Sequence, residues 1–198
     1  ESADATQDFL ESIIYTDEYP LTRIGSTTAS ETTKVLENSY RAMNIAFVQE
    51  WTEFAEELGI NLYEVVEAIR KRPTHQNLML PGLGVGGYCL TKDPLLASWA
   101  RSASTAGDER LTQNERAVQI NDRMPEHTYE QIREAFGGEI NGKTIALLGV
   151  SYRKDVGDTR YSPVECLYDL LRNDGATLRL HDPFVDYWEE RERDVQQE

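Results

Sequence analysis

A chain of 198 residues, 39% of them apolar, can build one large or two small cores, and its formal charge of −15 excludes nucleic acid and anionic membrane as partners, because phosphate surfaces call for clustered Lys and Arg. No apolar run is long enough to span a bilayer, and Glu1 opens neither on Met nor on a charged-then-apolar leader, so a cytoplasmic protein is expected. Cys89 and Cys166 stand in dissimilar contexts outside any metal-ligand cluster, which predicts single-thiol chemistry with no disulfide and no metal.

Residues 1–15 predict an amphipathic helix with Phe9, Leu10, Ile13 and Ile14 on one side, and a turn-rich stretch through Pro20 and Gly25 follows. From 32 to 58, Leu36, Tyr40, Met43, Phe47, Trp51, Phe54 and Leu58 recur by threes and fours. That predicts a helix roughly 40 Å long at about 1.5 Å per residue. Gly59 suits its C-terminal cap, and Leu62, Val65, Val66 and Ile69 predict a shorter helix ending before Pro73. Lys34, Asn38 and Arg41 fall opposite the apolar stripe, and Ile45 and Val48 continue their side as apolar. The long helix is therefore expected to pack on its own domain with one face and on a second subunit with the other, the alternative being a single larger core.

Residues 74–93 form a glycine-dense loop, and Asp93-Pro94 predicts the N-cap and first turn of another helix. Helix is expected to continue from Asn114 to Met124, with Pro125 starting or kinking a further one to about Phe136. The pattern then changes: 144–148 reads as a buried parallel strand, Ser162-Pro163 opens a helix to about Asn173 that Gly175 stops, and 177–180 is a second strand. This is one β-α-β unit. After Asp182-Pro183 the chain turns acidic, and the sheet looks unfinished.

Three constellations could carry chemistry. Cys89 follows a glycine run at a helix start, where backbone can approach a ligand and a thiolate is favoured by the helix dipole. The alternative is a tight turn with an inert thiol. Lys34, Asn38 and Arg41 project together, and an ammonium with an amide can stabilise an oxyanion, although most such stripes are solvated faces. Arg153, Lys154 and Arg160 cluster between a strand end and a helix start, where open α/β sheets bind phosphate, or else they form surface ion pairs with Asp155 and Asp158. No G-x-G-x-x-G follows Gly149.

The runs KVLENSYRAMNIAFVQE (34–50), PGLGVGGYCLTKDP (81–94) and LLGVSYRKDVGDTRYSP (147–163) together resemble the UDP-glucose/GDP-mannose dehydrogenase family. The resemblance covers about 27–185. It implies an α/β chain with an all-helical central dimerisation domain at 27–137, built on a long central helix. A partial Rossmann-like parallel α/β UDP-binding domain follows at 138–198, and 1–26 is a remnant of the N-terminal NAD-binding domain. With most of that NAD-binding domain absent, the chain alone is expected to be inactive.

The same resemblance implies an NAD-dependent, four-electron oxidation of a nucleotide-sugar C6 alcohol to a carboxylate through a Cys89 thioester. Lys34 and Asn38 would stabilise oxygen charge, and Asp93 would activate or orient the hydrolytic water. Gly86 would touch the sugar nucleotide through its backbone, Arg41, Arg72 and Arg153 would meet substrate, and Lys92 and Arg160 the cofactor pyrophosphate. Arg153 stands where the family usually has Lys. Tyr88 to Asp93 resembles UDP-glucose enzymes, whereas 37–41 and Pro81-Gly82 resemble UDP-N-acetylmannosamine enzymes, so a UDP-sugar or GDP-sugar substrate stays open, as does a basic contact from Arg72 or His75. Two other classes compete: a non-catalytic nucleotide-binding dimerisation module, and a thiol hydrolase pairing Cys89 with His75, His127 or His181. Five Lys against fifteen Arg, with abundant Asp and Glu, also resembles proteins of salt-loving microbes.

Overall fold

A computed structural model describes residues 2–104 and 108–196. The chain divides into two compact units, Glu1–Lys34 and Val35–Glu198. The first holds α1 (Ser2–Glu11), shorter than the predicted 1–15 and without a buried residue, and the opening of α2 (Thr27–Glu57). Ser26 Oγ accepts from the Ala29 N–H at 3.1 Å, which caps α2, whose first residue Thr27 thus lies five residues before the predicted start at 32.

The second unit takes α2 onward. Gly59, at φ +65°, ends that helix, and Asn61 caps α3 (Leu62–Arg70) by accepting from the Tyr63 N–H at 3.1 Å. A short 3₁₀ turn (Pro73–His75) leads through the glycine loop to α4 (Tyr88–Ser104) and then α5 (Thr112–Ala135). The α2 face turned inward is small and polar: Asn38, Ser39, Ala42, Ala46 and Gln49 are buried, while the apolar stripe from Leu36 to Leu58 is largely exposed. Buried amides stitch the helices. Asn121 Nδ2 donates to Ala42 O at 3.2 Å, Gln49 Nε2 to Asn121 Oδ1 at 3.3 Å, and Asn114 Nδ2 to Ser39 Oγ at 3.1 Å.

The predicted β-α-β unit is present as β1 (Thr144–Leu148), α6 (Val164–Asn173) and β2 (Thr177–His181). The strands run parallel, with Thr144 opposite Thr177 and Leu148 opposite His181. Ile140, Leu147, Leu167, Leu171, Leu180 and Trp188 form its core. The mostly helical unit with a small parallel sheet is thus an α/β arrangement.

Four local expectations are corrected. Asp93 and Pro94 do not open α4 but lie in its second turn, both buried, and Asp93 is spent on a tertiary bond rather than a cap. Pro125 does not start a helix, for α5 runs through it, which leaves the other reading of it as a proline within one helix, and the Asn121 carbonyl that it leaves without a helical donor is the wall against which Gly84 packs. β1 is not buried on both faces: Leu148 is 79% exposed. Beyond Asp182, where no element was predicted, β3 (Tyr187–Trp188) and β4 (Arg193–Asp194) form an antiparallel ribbon around a short 3₁₀ turn.

Candidate active site

The site grows from the glycine loop. Gly84, at φ +138°, lets the chain lie on α5, where a Cβ would stand 3.0 Å from Asn121 O and 3.1 Å from Pro163 Cβ. A Cβ at Gly86 would collide with Tyr152 Cβ and stand 2.7 Å from Tyr161 O, and one at Gly87 would meet the Tyr152 ring at 2.9 Å. Gly87 also donates its N–H to Arg160 O at 3.1 Å. The loop before Cys89 is therefore locked between α5 and the loop that follows β1.

Cys89 is the second residue of α4 and is exposed. It shares a cavity of about 430 Å³ with Arg41, Ile45, Gly86, Tyr152 and Arg153. Asp93 stands one turn further along α4, on the same face by its i, i+4 spacing. Its Oδ2 accepts from Asn38 Nδ2 at 2.7 Å in a buried bond, and its Oδ1 lies 3.2 Å from Lys92 Nζ. A nucleophile at a cavity edge thus has a fixed carboxylate one turn away. Lys34 is on α2, one helical turn before Asn38, and closes the first compact unit.

The other sequence candidates separate. Arg153 lines both the Cys89 cavity and a second one of about 490 Å³ at the carboxyl ends of β1 and β2, with Lys154, His181 and Asp182. Arg160 is exposed, bound by Asp158 at 2.9 and 2.7 Å and lying over the Tyr88 ring at 5.6 Å. That hydrogen-bonded pair raises the arginine pKa and lowers the aspartate's, which is the ion-pair outcome weighed from the sequence for this residue. Lys92 lines a third cavity, with Asp122, Glu165 and Cys166. Burial pushes the Cys166 thiol up. Arg72 is exposed ahead of Pro73–His75 and lines neither the Cys89 cavity nor the one at the strand ends.

No histidine meets the thiol in the Cys89 cavity: His127 lies 2.7 Å from Glu56, His75 2.8 Å from the Thr74 hydroxyl, and His181 lines the strand-end cavity. Among the described residues no group of three or more His, Cys, Asp or Glu could hold a metal, and no described helix is long and apolar enough to cross a membrane.

Sequence reasoning missed three contributors. Tyr152 covers the glycines, Tyr161 packs edge-on against Tyr88 at 4.8 Å while holding φ +54°, and Asp182 braces the Arg153 loop by accepting from the Val150 and Ser151 N–H groups. The aromatics carried no sequence signal, since their partners lie more than sixty positions away. Asp182 carried one, an Asp-Pro directly after a strand.

The central-domain profile of the UDP-glucose/GDP-mannose dehydrogenase family matches residues 28–123, and the family's UDP-binding-domain profile matches 146–198. The chain is 35% identical over 157 residues to the UDP-N-acetyl-D-mannosamine dehydrogenase of Methanocaldococcus jannaschii, covering 79% of this chain and 34% of the relative. It is 36% identical over 162 residues to the enzyme of that name from Pyrococcus horikoshii, covering 80% and 37%. A solved structure of the Pyrococcus horikoshii UDP-D-ManNAc dehydrogenase superposes with TM-score 0.78 at 31% identity, over 92% of this chain and 42% of that one. The NDP-N-acetyl-D-galactosaminuronic acid dehydrogenase of Methanosarcina mazei gives 0.76 at 31%, over 87% and 38%. This chain spans a little over a third of the length of these relatives.

Proposed function

The chain belongs to the UDP-glucose/GDP-mannose dehydrogenase family, and on that premise we propose that the polypeptide carrying it oxidises the C6 alcohol of a nucleotide sugar to a carboxylate with NAD, through a thioester on Cys89. The observation that carries this is the cavity-edge thiol one turn from a carboxylate that Asn38 holds at 2.7 Å. UDP-N-acetylmannosamine is the preferred substrate, favoured by the names of the relatives. We assign 27–137 to a central helical domain and 138–198 to a partial UDP-binding domain. Residues 1–26 are assigned as the last elements of an NAD-binding domain that supplies most of the cofactor's contacts.

NAD, held mainly by the NAD-binding domain, would supply the hydride acceptor for both oxidations at C6. Lys34 and Asn38 stabilise negative charge on the C6 oxygen as it develops. The Cys89 thiol adds to the C6 aldehyde, its sulfur forming the S–C bond and its proton passing to the former carbonyl oxygen, and loss of a hydride from that carbon and a proton from that oxygen at the second oxidation leaves a thioester. Asp93 orients the water that breaks the S–C bond, returning the thiol and releasing the carboxylate. Arg41 and Arg153 bind the anionic nucleotide from the cavity wall, and Gly86 lends its backbone. Lys92, exposed near the start of α4, fits the chemistry of a cofactor pyrophosphate, and Arg160 joins it only on leaving Asp158.

NADH yield per sugar tests this on the full-length polypeptide, with UDP-N-acetylmannosamine, UDP-glucose and GDP-mannose. Two NADH per sugar from one of them, lost in Cys89→Ser, is expected. Binding of all three without NADH would leave a non-catalytic nucleotide-binding module instead. The 198-residue chain alone is expected to yield none.

A further inference from the structure

Asn114 lies outside the Cys89 cavity, yet its side chain reaches both elements that build the Asn38–Asp93 pair. We propose that Asn114 is a positioning residue that sets the distance between Asn38 and Asp93, an inference that rests on the function proposed above. The geometry is specific. The Asn114 amide nitrogen donates to Ser39 Oγ at 3.1 Å and to Pro94 O at 3.3 Å. Ser39 is the chain neighbour of Asn38, and Pro94 is the chain neighbour of Asp93. One NH₂ group therefore spends both hydrogens bridging α2 to α4 one residue beyond the pair that itself bridges them at 2.7 Å.

The bridge is needed because α4 is weak at that point. Pro94 has no N–H, so Leu90 O loses its helical donor beside Asp93, and the second turn of α4 is held by its surroundings. Ser39 is anchored in turn, its hydroxyl donating to Val35 O at 2.8 Å. The platform under Asn114 is fixed as well: Ser98 Oγ accepts from the Leu111 N–H at 3.0 Å and donates to Glu115 Oε1 at 2.5 Å, which docks the start of α5 onto α4. Asn114 is 8% exposed, so water does not compete for these bonds. A leucine there would fill similar space and supply neither bond.

Asn121 provides the control. It makes buried amide contacts on the same α2–α5 seam two turns further along, with Ala42 O and Gln49, but touches neither neighbour of the pair. In the 198-residue chain, hydrogen exchange of the Asn38 side-chain amide is measured by NMR in wild type, Asn114→Asp, Asn114→Leu and Asn121→Leu. Exchange about tenfold faster in both Asn114 variants, and unchanged in Asn121→Leu, is expected. In the full-length polypeptide the Asn114 variants are expected to lose about tenfold or more in kcat, with KM for the nucleotide sugar within twofold, since misplacing a catalytic group slows the step without weakening binding. Asn121→Leu is expected to lose thermal stability with kcat kept. If Asn114→Leu does not fold, the near-isosteric Asn114→Asp decides alone. Unchanged exchange, or equal kcat losses at 114 and 121, would overturn the proposal. A wild type that makes no NADH would overturn the proposed function, while the exchange measurement would still decide whether Asn114 holds the pair.

Discussion

Asp182 is 3% exposed, and burial alone would penalise its carboxylate. Backbone N–H groups of Phe184, Val150 and Ser151, at 2.9, 2.9 and 3.1 Å, outweigh that penalty and hold its pKa below the ordinary value. A carboxylate with a depressed folded pKa contributes stability that is fully present above its unfolded pKa of about 3.9 and is lost as pH falls through the folded value. Asp182→Asn keeps the shape and removes the charge, so it is expected to cost about 1–3 kcal/mol at neutral pH. The gap to wild type should close as pH drops below 4. Urea midpoints at pH 7 and pH 3 check this, and an equal gap at both would mean the charge contributes nothing. The residues of the candidate site were singled out in the sequence by type and spacing, Cys89 after a glycine run and Asn38 and Lys34 one turn apart. Which carboxylate meets which amide was not legible, because the Asn38–Asp93 contact spans 55 positions and leaves no periodic trace.

At the scale of elements, α2 presents an apolar stripe that its own fold does not cover. Leu36, Phe47, Trp51 and Phe54 are 66%, 55%, 48% and 50% exposed, and Trp51 and Phe54 pack edge to face with centroids 5.7 Å apart. Exposed aromatic surface of this extent is the kind that interfaces bury, and we propose it as the homodimer face expected of the long helix. Trp51→Glu with Phe54→Glu is expected to convert a dimer to a monomer by light scattering at micromolar concentration. Helicity should be unchanged, because α2 is seated through Asn38, Ala42, Ala46 and Gln49 on its other side. A wild type that is already monomeric at about tenfold higher concentration would remove the interface. The period of α2 was plain in the sequence, as were the two strands and the helix between them. Asp93-Pro94 misled because its familiar local meaning, a cap and first turn, is overridden by tertiary contacts inside α4: Asp93 accepts from Asn38, and Pro94 O accepts from Asn114.

At the scale of the whole molecule, the charge of −15 on 198 residues is a standing self-repulsion that the fold must tolerate. Several of its exposed cations are already committed locally, Arg23 to Asp4, Arg101 to Glu109 and Arg160 to Asp158, so the surplus carboxylates face solvent. Exposed pairs of this kind contribute little each and are screened together with the repulsion they sit in. Salt shortens the range of both, from about 10 Å at 0.1 M to about 3 Å at 1 M, and with so unequal a count of signs the repulsion loses more than the pairs do. The thermal midpoint is therefore expected to rise by several degrees between dilute buffer and 1–2 M potassium chloride, a gain of roughly 1 kcal/mol. Sodium chloride at equal ionic strength should do nearly the same if screening is the cause. Unfolding in molar potassium chloride, with the fold intact in dilute buffer, would show that local pairs and not net charge govern stability, and would withdraw the salt-adapted reading of the five-Lys, fifteen-Arg composition.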